Sequence, residues 1–112
     1  MLLVVNIKEN SPTVEEAMAK FDLELESAKL QNAKVLKVIH GYGSSGVGGA
    51  ILRKLKQTLP LLKRTKQIKD YFSGATFNLV NQTVFDLAKK VPDLLYDEDF
   101  STQNIGVTFI IL

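Results

Sequence analysis

Two kinds of hydrophobic pattern alternate along the first sixty residues, and this alternation restricts the fold more than any other feature of the sequence. Residues 2–7 and 35–39 are short aliphatic runs with the length and β-branched content of buried strands. The segments that follow them, 14–28 and 47–59, place apolar residues at helical spacing. A strand, a helix, a strand and a helix in this order predict a parallel pair of strands joined by a right-handed crossover.

Residues that start or stop a helix mark the ends of both helical segments. Ser11–Pro12 offers one start for the first helix, with proline at the first helical position. Thr13 and Glu16 offer another, a capping box in which each side chain accepts a hydrogen bond from the other residue's backbone N–H. The first helix is expected to end near Gln31–Asn32, and the second at Pro60, which lacks the N–H that a helix interior needs.

The second half of the chain is predicted to hold two more strands, over residues 68–72 and 106–112, with an insertion between them at 73–103. Within the insertion we expect a short helix that ends at Val91–Pro92, followed by an acidic surface loop over 94–102. The insertion could cover the edge of the sheet, form a dimer surface or mask a site with its acidic residues. Its aromatic residues are expected to fill the core; they are Phe77, Phe85, Tyr96 and Phe100.

Composition excludes several classes of protein and site. The 112 residues suffice for one domain, and 46% of them are hydrophobic, as in an ordinary globular protein. The sequence has no cysteine and one histidine, His40, which excludes disulfides, thiolate metal sites, a cysteine nucleophile and a two-histidine zinc site. No apolar run approaches the roughly 20 residues of a membrane span, and the first residues do not resemble a signal peptide. We therefore expect a cytoplasmic protein that does not contact membranes.

The net charge of +2 conceals three segments of alternating sign. Residues 9–26 carry six acidic side chains against one basic, 27–85 carry ten basic against one acidic, and 86–99 carry five acidic against two basic. The densest part of the basic segment, 53–69, has seven cations and no anion. Such a run is either an ordinary solvated face or a surface for an anionic partner.

Five of the seven glycines lie within residues 40–49, between the second strand and the second helix. Glycine lets backbone N–H groups approach a ligand closely, and a helix N-terminus adds unpaired N–H groups and the positive end of a dipole. This combination predicts an anion site, for which phosphate is the usual occupant. Ser44 and Ser45 add hydroxyl donors, and the ring of Tyr42 suits either stacking on a base or local packing.

Three interpretations of this loop remain open: a phosphate-backbone site, a tight turn for close helix–sheet packing, and a dinucleotide site. Gly41, Gly43 and Gly46 have the dinucleotide spacing, but residues 61–64 hold no carboxylate where one is expected. A P-loop is excluded because no Lys-Ser or Lys-Thr follows the last glycine. His40 is a satisfied structural residue, a donor to phosphate or a general base, and no metal site is expected around it.

A known family carries the same loop in the same place. The sequence His40-Gly41-Tyr42-Gly43, followed by Ser-Ser-Gly-Val-Gly-Gly and an aliphatic helix, resembles the Smr (small MutS-related) domain, whose hallmark is an H-G-x-G loop. Residues 13–17, 34–39 and 106–108 resemble that family's first helix, second strand and final strand. The resemblance implies an α/β, two-layer sandwich: a four-stranded mixed sheet with two main helices on one face, similar to the C-terminal domain of translation initiation factor three, plus the inserted helix and loop.

The same resemblance implies a nucleic-acid-binding function, because Smr domains bind nucleic acid and several are endonucleases. His40, Gly41 and Gly43 map onto the loop that faces the nucleic acid. The family's second motif, L-D-x-H-G, is missing, since Asn6 stands at the position of its Asp and Lys8 at that of its His. Asparagine cannot act as a carboxylate base, and lysine is a charge rather than a base near neutral pH. We therefore expect nuclease activity to be weak or lost.

Together these observations predict one Smr-like domain over residues 1–112 that binds DNA or RNA. The residues expected to contact phosphates are Lys8, His40, Gly41, Tyr42, Gly43, Ser44, Ser45, Gly46, Arg53, Lys54 and Lys56. No cofactor is expected, except Mg²⁺ or Mn²⁺ if the domain is a nuclease with His40 as its catalytic residue. Two alternatives are an active metal-dependent endonuclease and a protein-interaction module whose insertion, 73–103, would also form the contact of a homo-oligomer.

Overall fold

The strands form one mixed sheet, and the first two helices lie in the connections that the alternating pattern predicts. In the computed structural model, which describes residues 1–43 and 46–112, the strands are β1 Leu2–Asn6, β2 Val35–Ile39, β3 Asp70–Ser73 and β4 Val107–Ile111. The helices are α1 Val14–Leu30, α2 Gly46–Arg64 and α3 Gln82–Lys90, with short 3₁₀ helices at Gly74–Thr76 and Pro92–Tyr96. The order across the sheet is β1-β2-β4-β3, with β1 parallel to β2 and β4 antiparallel to both of its neighbours. The predicted α/β fold with a four-stranded mixed sheet is confirmed.

Helix α1 begins at the capping box. The hydroxyl of Thr13 accepts a hydrogen bond from the N–H of Glu16 at 3.1 Å, and the Glu16 carboxylate accepts one from the N–H of Thr13 at 2.9 Å. The alternative start at Ser11–Pro12 is therefore wrong, because the reciprocal pair satisfies the backbone donors of the first turn from Thr13. The helix ends at Leu30, with Gln31 as its cap, as the sequence predicts.

Helix α2 passes through Pro60, so the predicted end at that residue is wrong. Proline cannot donate to the carbonyl of Lys56 four residues earlier, but both residues are exposed, so water can replace the missing donor. Leu59 before the proline is buried, and Leu62 after it packs against the same hydrophobic cluster. Tertiary packing thus outweighs the local cost of the proline, which is about 3 kcal/mol in a helix interior. Neither α2 nor any other helix in the described part of the chain is long and apolar enough to cross a membrane.

The two long helices cover one face of the sheet and bury the larger hydrophobic cluster against it. Side chains of a strand alternate between the two faces, so Leu36 and Val38 of β2 point to the helices while Val35 points away. Phe21 of α1 and Leu55 of α2 are fully buried in this cluster. Two main helices on one face are what the resemblance implied.

Ser73 belongs to β3, and the rest of the predicted insertion, residues 74–103, lies on the opposite face of the sheet and buries a second hydrophobic cluster there. The ring of Phe109 on β4 lies 5.1 Å from that of Phe72 and 4.3 Å from that of Phe77, measured between centroids. The predicted short helix, α3, packs against the same cluster through Val84, which is fully buried. The insertion therefore covers a face of the sheet.

The acidic surface loop predicted over 94–102 is confirmed only in part: residues 95, 96, 98, 101 and 102 are exposed, but three other side chains turn inward. Leu94 is fully buried, and the side chains of Asp97 and Asp99 are only 9% and 13% exposed. Both carboxylates turn inward because they pair with Lys37, a buried cation on the middle of β2.

The aromatic residues of the insertion divide between the core and the surface. Phe77 is fully buried, and the ring of Phe100 packs edge-on against it with a centroid distance of 5.2 Å. Phe85 is 41% exposed and Tyr96 is 88% exposed, so the prediction that they fill the core is wrong. Neither residue belongs to the hydrophobic cluster that α3 and the following 3₁₀ helix bury against the sheet.

One edge of the sheet brings the chemistry-bearing segments together, and we call it the strand-end edge. The carboxyl ends of β1 and β2 lie there because the two strands are parallel. The carboxyl end of β3 and the start of β4 lie there as well, because β4 is antiparallel to both β2 and β3. The strand-end edge therefore gathers Lys8, His40, Ser73 and Gly106 beside the beginning of α2.

Candidate nucleic-acid interface

His40 follows β2 directly, and its ring is buried with both nitrogens hydrogen-bonded; the residue is 3% exposed. Its Nδ1 lies 2.8 Å from the carbonyl oxygen of Gly41, and its Nε2 lies 2.8 Å from the hydroxyl of Thr108 on β4. A carbonyl oxygen only accepts, so this network assigns the proton to Nδ1. Nε2 then accepts a hydrogen bond from the Thr108 hydroxyl.

The surroundings of His40 keep its imidazole neutral. Burial lowers its pKa, the hydrogen bond to the Gly41 carbonyl acts in the opposite direction, and the charge of Lys56 lowers the pKa further. The net result is a pKa below the usual value for histidine. A neutral ring with Nδ1 donating to Gly41 and Nε2 accepting from Thr108 matches the interpretation of His40 as a satisfied structural residue.

The loop after His40 needs glycine at two positions for conformation and for space. Gly41 and Gly43 have φ angles of +77° and +66°, in the left-handed region that favours glycine. A β-carbon at position 43 would lie 2.7 Å from Cδ2 of Leu52 on α2. The left-handed backbone accounts for glycine at both positions, and close packing of α2 against the loop gives a second reason at Gly43, whether or not the loop also binds an anion.

Two backbone N–H groups of the loop that the sequence predicts to bind an anion are hydrogen-bonded within the protein instead. The carbonyl oxygen of Gly106 accepts hydrogen bonds from the N–H groups of both His40 and Gly41, each at 3.0 Å. Among residues 1–43 and 46–112, no acceptor is found for the N–H groups of Tyr42 and Gly43. Among residues 40–43, any backbone contact to phosphate would therefore come from Tyr42 and Gly43, in addition to the N–H groups of the first turn of α2.

The remaining loop positions lie on either side of the described boundary. Ser44 and Ser45, predicted as hydroxyl donors, lie outside the described residues. Gly46 is the first residue of α2 and is exposed. Tyr42 is 65% exposed, so its ring is available at the surface beside the loop.

Lys8 lies beside the loop, as its place after β1 predicts. A β-carbon at position 41 would lie 2.9 Å from Cδ of Lys8, so the lysine side chain passes directly over Gly41. The side chain of Asn6 accepts a hydrogen bond from the N–H of Lys8 at 3.0 Å, which shapes the turn that follows β1. Asn6 and Lys8 thus form a turn that carries an exposed cation to the loop.

The three basic residues predicted on α2 point in different directions. Lys56 lines a groove together with His40, and Nη1 of Arg53 would lie 3.4 Å from a β-carbon at position 49, beside the helix start. Lys54 is two residues from Lys56, and at 3.6 residues per turn their side chains project about 160° apart. The structure therefore brings Lys8, Arg53 and Lys56 around the loop, and it places Lys54 on another flank of α2.

A groove of about 330 Å³ opens next to the loop, between α2 and the strands β3 and β4. It is lined by His40, Tyr42, Leu52, Lys56, Ser73, Ile105 and Thr108. Sequence reasoning missed Ser73 and Thr108. Thr108 could have been noticed as a polar residue in an otherwise aliphatic strand, whereas Ser73 carries no signal before the order of the strands is known.

The lining of this groove does not fit a Mg²⁺ or Mn²⁺ site. These cations prefer carboxylate oxygens, but the groove has no carboxylate and does contain Lys56, which would repel a cation. Nowhere in residues 1–43 and 46–112 do three or more His, Asp or Glu side chains cluster as metal ligands would. Asp97 and Asp99 lie on the opposite face of the sheet and are bound to Lys37.

In comparison with known families, the chain matches the Smr domain over residues 11–76. The match begins just before α1 and continues through the glycine-rich loop and α2 to the first 3₁₀ helix. Neither the curated proteins nor the solved structures contain a significant match to the chain. Since the matched residues make up more than half of the chain and hold the H-G-x-G loop at the strand-end edge, the protein belongs to the Smr domain family, a family associated with nucleic-acid binding and nuclease activity.

Proposed function

We propose that this protein binds nucleic acid by holding phosphates at the strand-end edge, with weak or no nuclease activity. The observation that carries the proposal is the position of two cations around the H-G-x-G loop. Lys8 crosses Gly41 on the β1 side, and Lys56 lines the groove beside His40 on the β3 side. Arg53 adds a third cation at the start of α2.

Charge pairing removes two lysines of the basic segment from the candidates for phosphate contact. Lys63 pairs with Asp70 at 3.1 Å, and Lys37 is buried against two carboxylates. Neither lysine is therefore well placed to neutralise a phosphate. Lys8 and Arg53 are exposed and form no salt bridge with any carboxylate in the described residues.

The environment of His40 supports the second half of the proposal. A general base needs a free lone pair within reach of the proton that it removes, but the lone pair of Nε2 accepts from Thr108. The groove beside it contains no carboxylate to assist the imidazole or to hold a metal ion. The arrangement favours binding over hydrolysis.

A binding titration tests the first half. Fluorescently labelled RNA and DNA oligonucleotides are titrated with the wild type, with Lys8→Gln and Lys56→Gln, and with Lys34→Gln as the matched control. Lys34 is exposed and lies at the other end of β2. We expect the affinity to fall as the salt concentration rises, with a slope of log affinity against log salt of roughly −0.7 to −0.9 per neutralised phosphate. In each test variant, but not in the control, the magnitude of this slope should decrease by the amount of about one phosphate contact. No binding of either nucleic acid at low salt would refute the proposal.

A cleavage assay with Mg²⁺ or Mn²⁺ tests the second half and the endonuclease alternative together. We expect the labelled oligonucleotides to stay intact. The active endonuclease would be established instead if the wild type cleaves the oligonucleotides and His40→Ala does not. Thermal unfolding of His40→Ala checks that this variant is folded. Equal cleavage by both proteins would indicate a contaminating nuclease.

Exposed apolar residues on the insertion favour a second candidate function, a protein-interaction surface. Val80 is 96% exposed and Tyr96 is 88% exposed. Deleting the insertion would not test this idea, because Phe77 and Leu94 belong to the core that it buries. Val80→Ser and Tyr96→Ser leave that core intact, and the candidate predicts that they change the sedimentation behaviour or the bound partners of the protein.

A further inference from the structure

Two grooves adjoin on the helical face of the sheet and form one trough that leads away from the H-G-x-G loop. The groove beside His40, of about 330 Å³, shares Lys56, Ser73 and Thr108 with a second groove of about 320 Å³. The second groove continues along α2 to Leu59 and Tyr71. Each groove lies at the lower end of the range of small-molecule sites, about 300 to 1,000 Å³.

The walls of the trough combine apolar surface with a few polar groups, as a site for a flat heterocycle requires. Leu52 and Ile105 provide apolar contacts beside the loop, and the ring of Tyr71 provides a flat surface at the far end. The Thr108 oxygen donates its proton to His40 and keeps a lone pair with which it can accept another hydrogen bond. Ser73 accepts from the N–H of Ala75 and keeps its hydroxyl proton for a ligand.

We infer that this trough binds the base of an unpaired nucleotide whose phosphate lies at the strand-end edge. The inference rests on the proposed function and adds the class of nucleic acid that the site prefers. Lys56 belongs to both grooves, so the same cation faces the phosphate end and the middle of the trough. The exposed ring of Tyr42 at the mouth offers a neighbouring base a stacking surface.

A single strand can enter such a trough, whereas an intact duplex must first release a base. Bases inside a duplex are paired and stacked, and extruding one of them costs a few kcal/mol. A strand that is already unpaired does not carry this cost. The protein should therefore bind single-stranded oligonucleotides more tightly than duplexes of the same sequence, and nucleoside monophosphates more tightly than inorganic phosphate.

The test fills the trough without touching the cations. Ser73→Phe places an aromatic ring at the point that the two grooves share, and Tyr42→Ala removes the stacking surface at the mouth. Gln57→Phe is the matched control, since Gln57 is an exposed polar residue on α2 that does not line the trough. The readouts are fluorescence anisotropy with single-stranded and duplex oligonucleotides, NMR titration with adenosine or uridine monophosphate and with inorganic phosphate, and thermal unfolding of every variant.

We expect the wild type to bind single strands roughly tenfold or more tightly than duplexes, as the loss of one stacked base implies. Ser73→Phe should remove this preference and Tyr42→Ala should reduce it, whereas Gln57→Phe should leave the binding of single strands and of duplexes unchanged. If Ser73→Phe does not fold, Tyr42→Ala and the monophosphate titration decide the question. Binding with equal affinity for single strands and duplexes would overturn the inference and leave the proposed function standing. Absence of all nucleic-acid binding would overturn both.

Discussion

Removing the charge of Lys37 is predicted to destabilise the protein far more than the same substitution at an exposed lysine. Lys37 lies at the centre of β2, is 2% exposed and points to the insertion. Its Nζ contacts the two carboxylate oxygens of Asp97 at 2.9 and 3.1 Å and one oxygen of Asp99 at 2.6 Å. One buried cation thus joins the sheet to a segment 60 residues further along the chain.

The network around Lys37 continues to the H-G-x-G loop. Asp99 accepts a hydrogen bond from the side-chain amide of Asn104 at 2.8 Å, and Asn104 accepts one from the N–H of Gly106 at 2.8 Å. The carbonyl of Gly106 then accepts from the N–H groups of His40 and Gly41.

Burial by itself would lower the pKa of Lys37, but the hydrogen bonds and charges of the two carboxylates outweigh burial and raise that pKa.

Lys37→Met leaves two largely buried carboxylates without a cation. Breaking a buried ion pair by removing one partner costs about 3–5 kcal/mol, a large part of the roughly 5–15 kcal/mol that a small domain has in total. Lys34→Met is the same change at the exposed residue directly before β2, and it should change the free energy of unfolding by no more than about 0.5 kcal/mol. The triple variant Lys37→Met, Asp97→Asn, Asp99→Asn should recover much of the loss, because no unpaired charge is then buried.

Urea unfolding followed by circular dichroism measures these differences through the midpoint at a constant m-value. A loss below about 1 kcal/mol for Lys37→Met would mean that the carboxylates find water or another partner. A triple variant no more stable than the single one would mean that the uncompensated charge is not the cause. Either outcome would refute the reasoning.

Four further predictions concern the pH dependence of stability, the loop and the first helix. Burial would raise the pKa of Asp99, but hydrogen bonds from Lys37 and Asn104 and the Lys37 charge lower that pKa overall. The contribution of Asp99 to stability is therefore present above about pH 3.9 and is lost as the pH falls further. Urea midpoints measured at several pH values should show this loss in the wild type but not in Lys37→Met. Folding also lowers the pKa of His40, so stability should fall as the pH drops below about 6.5, and His40→Gln should flatten that part of the profile. Gly43→Ala should cost at least about 1–2 kcal/mol, because φ is +66° and the added carbon would lie 2.7 Å from Leu52; a neutral effect in urea unfolding would show that the loop relaxes. Thr13→Ala should lower the free energy of unfolding by about 1 kcal/mol through loss of the capping box. An unchanged urea midpoint would show that the capping box does not stabilise the protein.

Local patterns in the sequence were sufficient to predict the main elements of the fold. The capping box at Thr13 and the end of α1 depend on contacts within one helical turn, and such contacts can be read from neighbouring residues. The glycine-rich loop was placed correctly between β2 and α2 for the same reason. The predicted family, whose model matches residues 11–76, depends on those same local motifs.

Features that join distant parts of the chain were decided only by the tertiary structure. A lysine in a strand looks exposed in the sequence, and Lys37 is buried because Asp97 and Asp99 reach it from the insertion. Pro60 looks like a helix stop, and α2 continues because Leu62 gains a place in the core. His40 suits several roles in the sequence, and the structure pairs it with Thr108, which is 68 residues away. Side-chain periodicity determines which face of an element is apolar, but the partner of a buried polar group depends on how the whole chain packs.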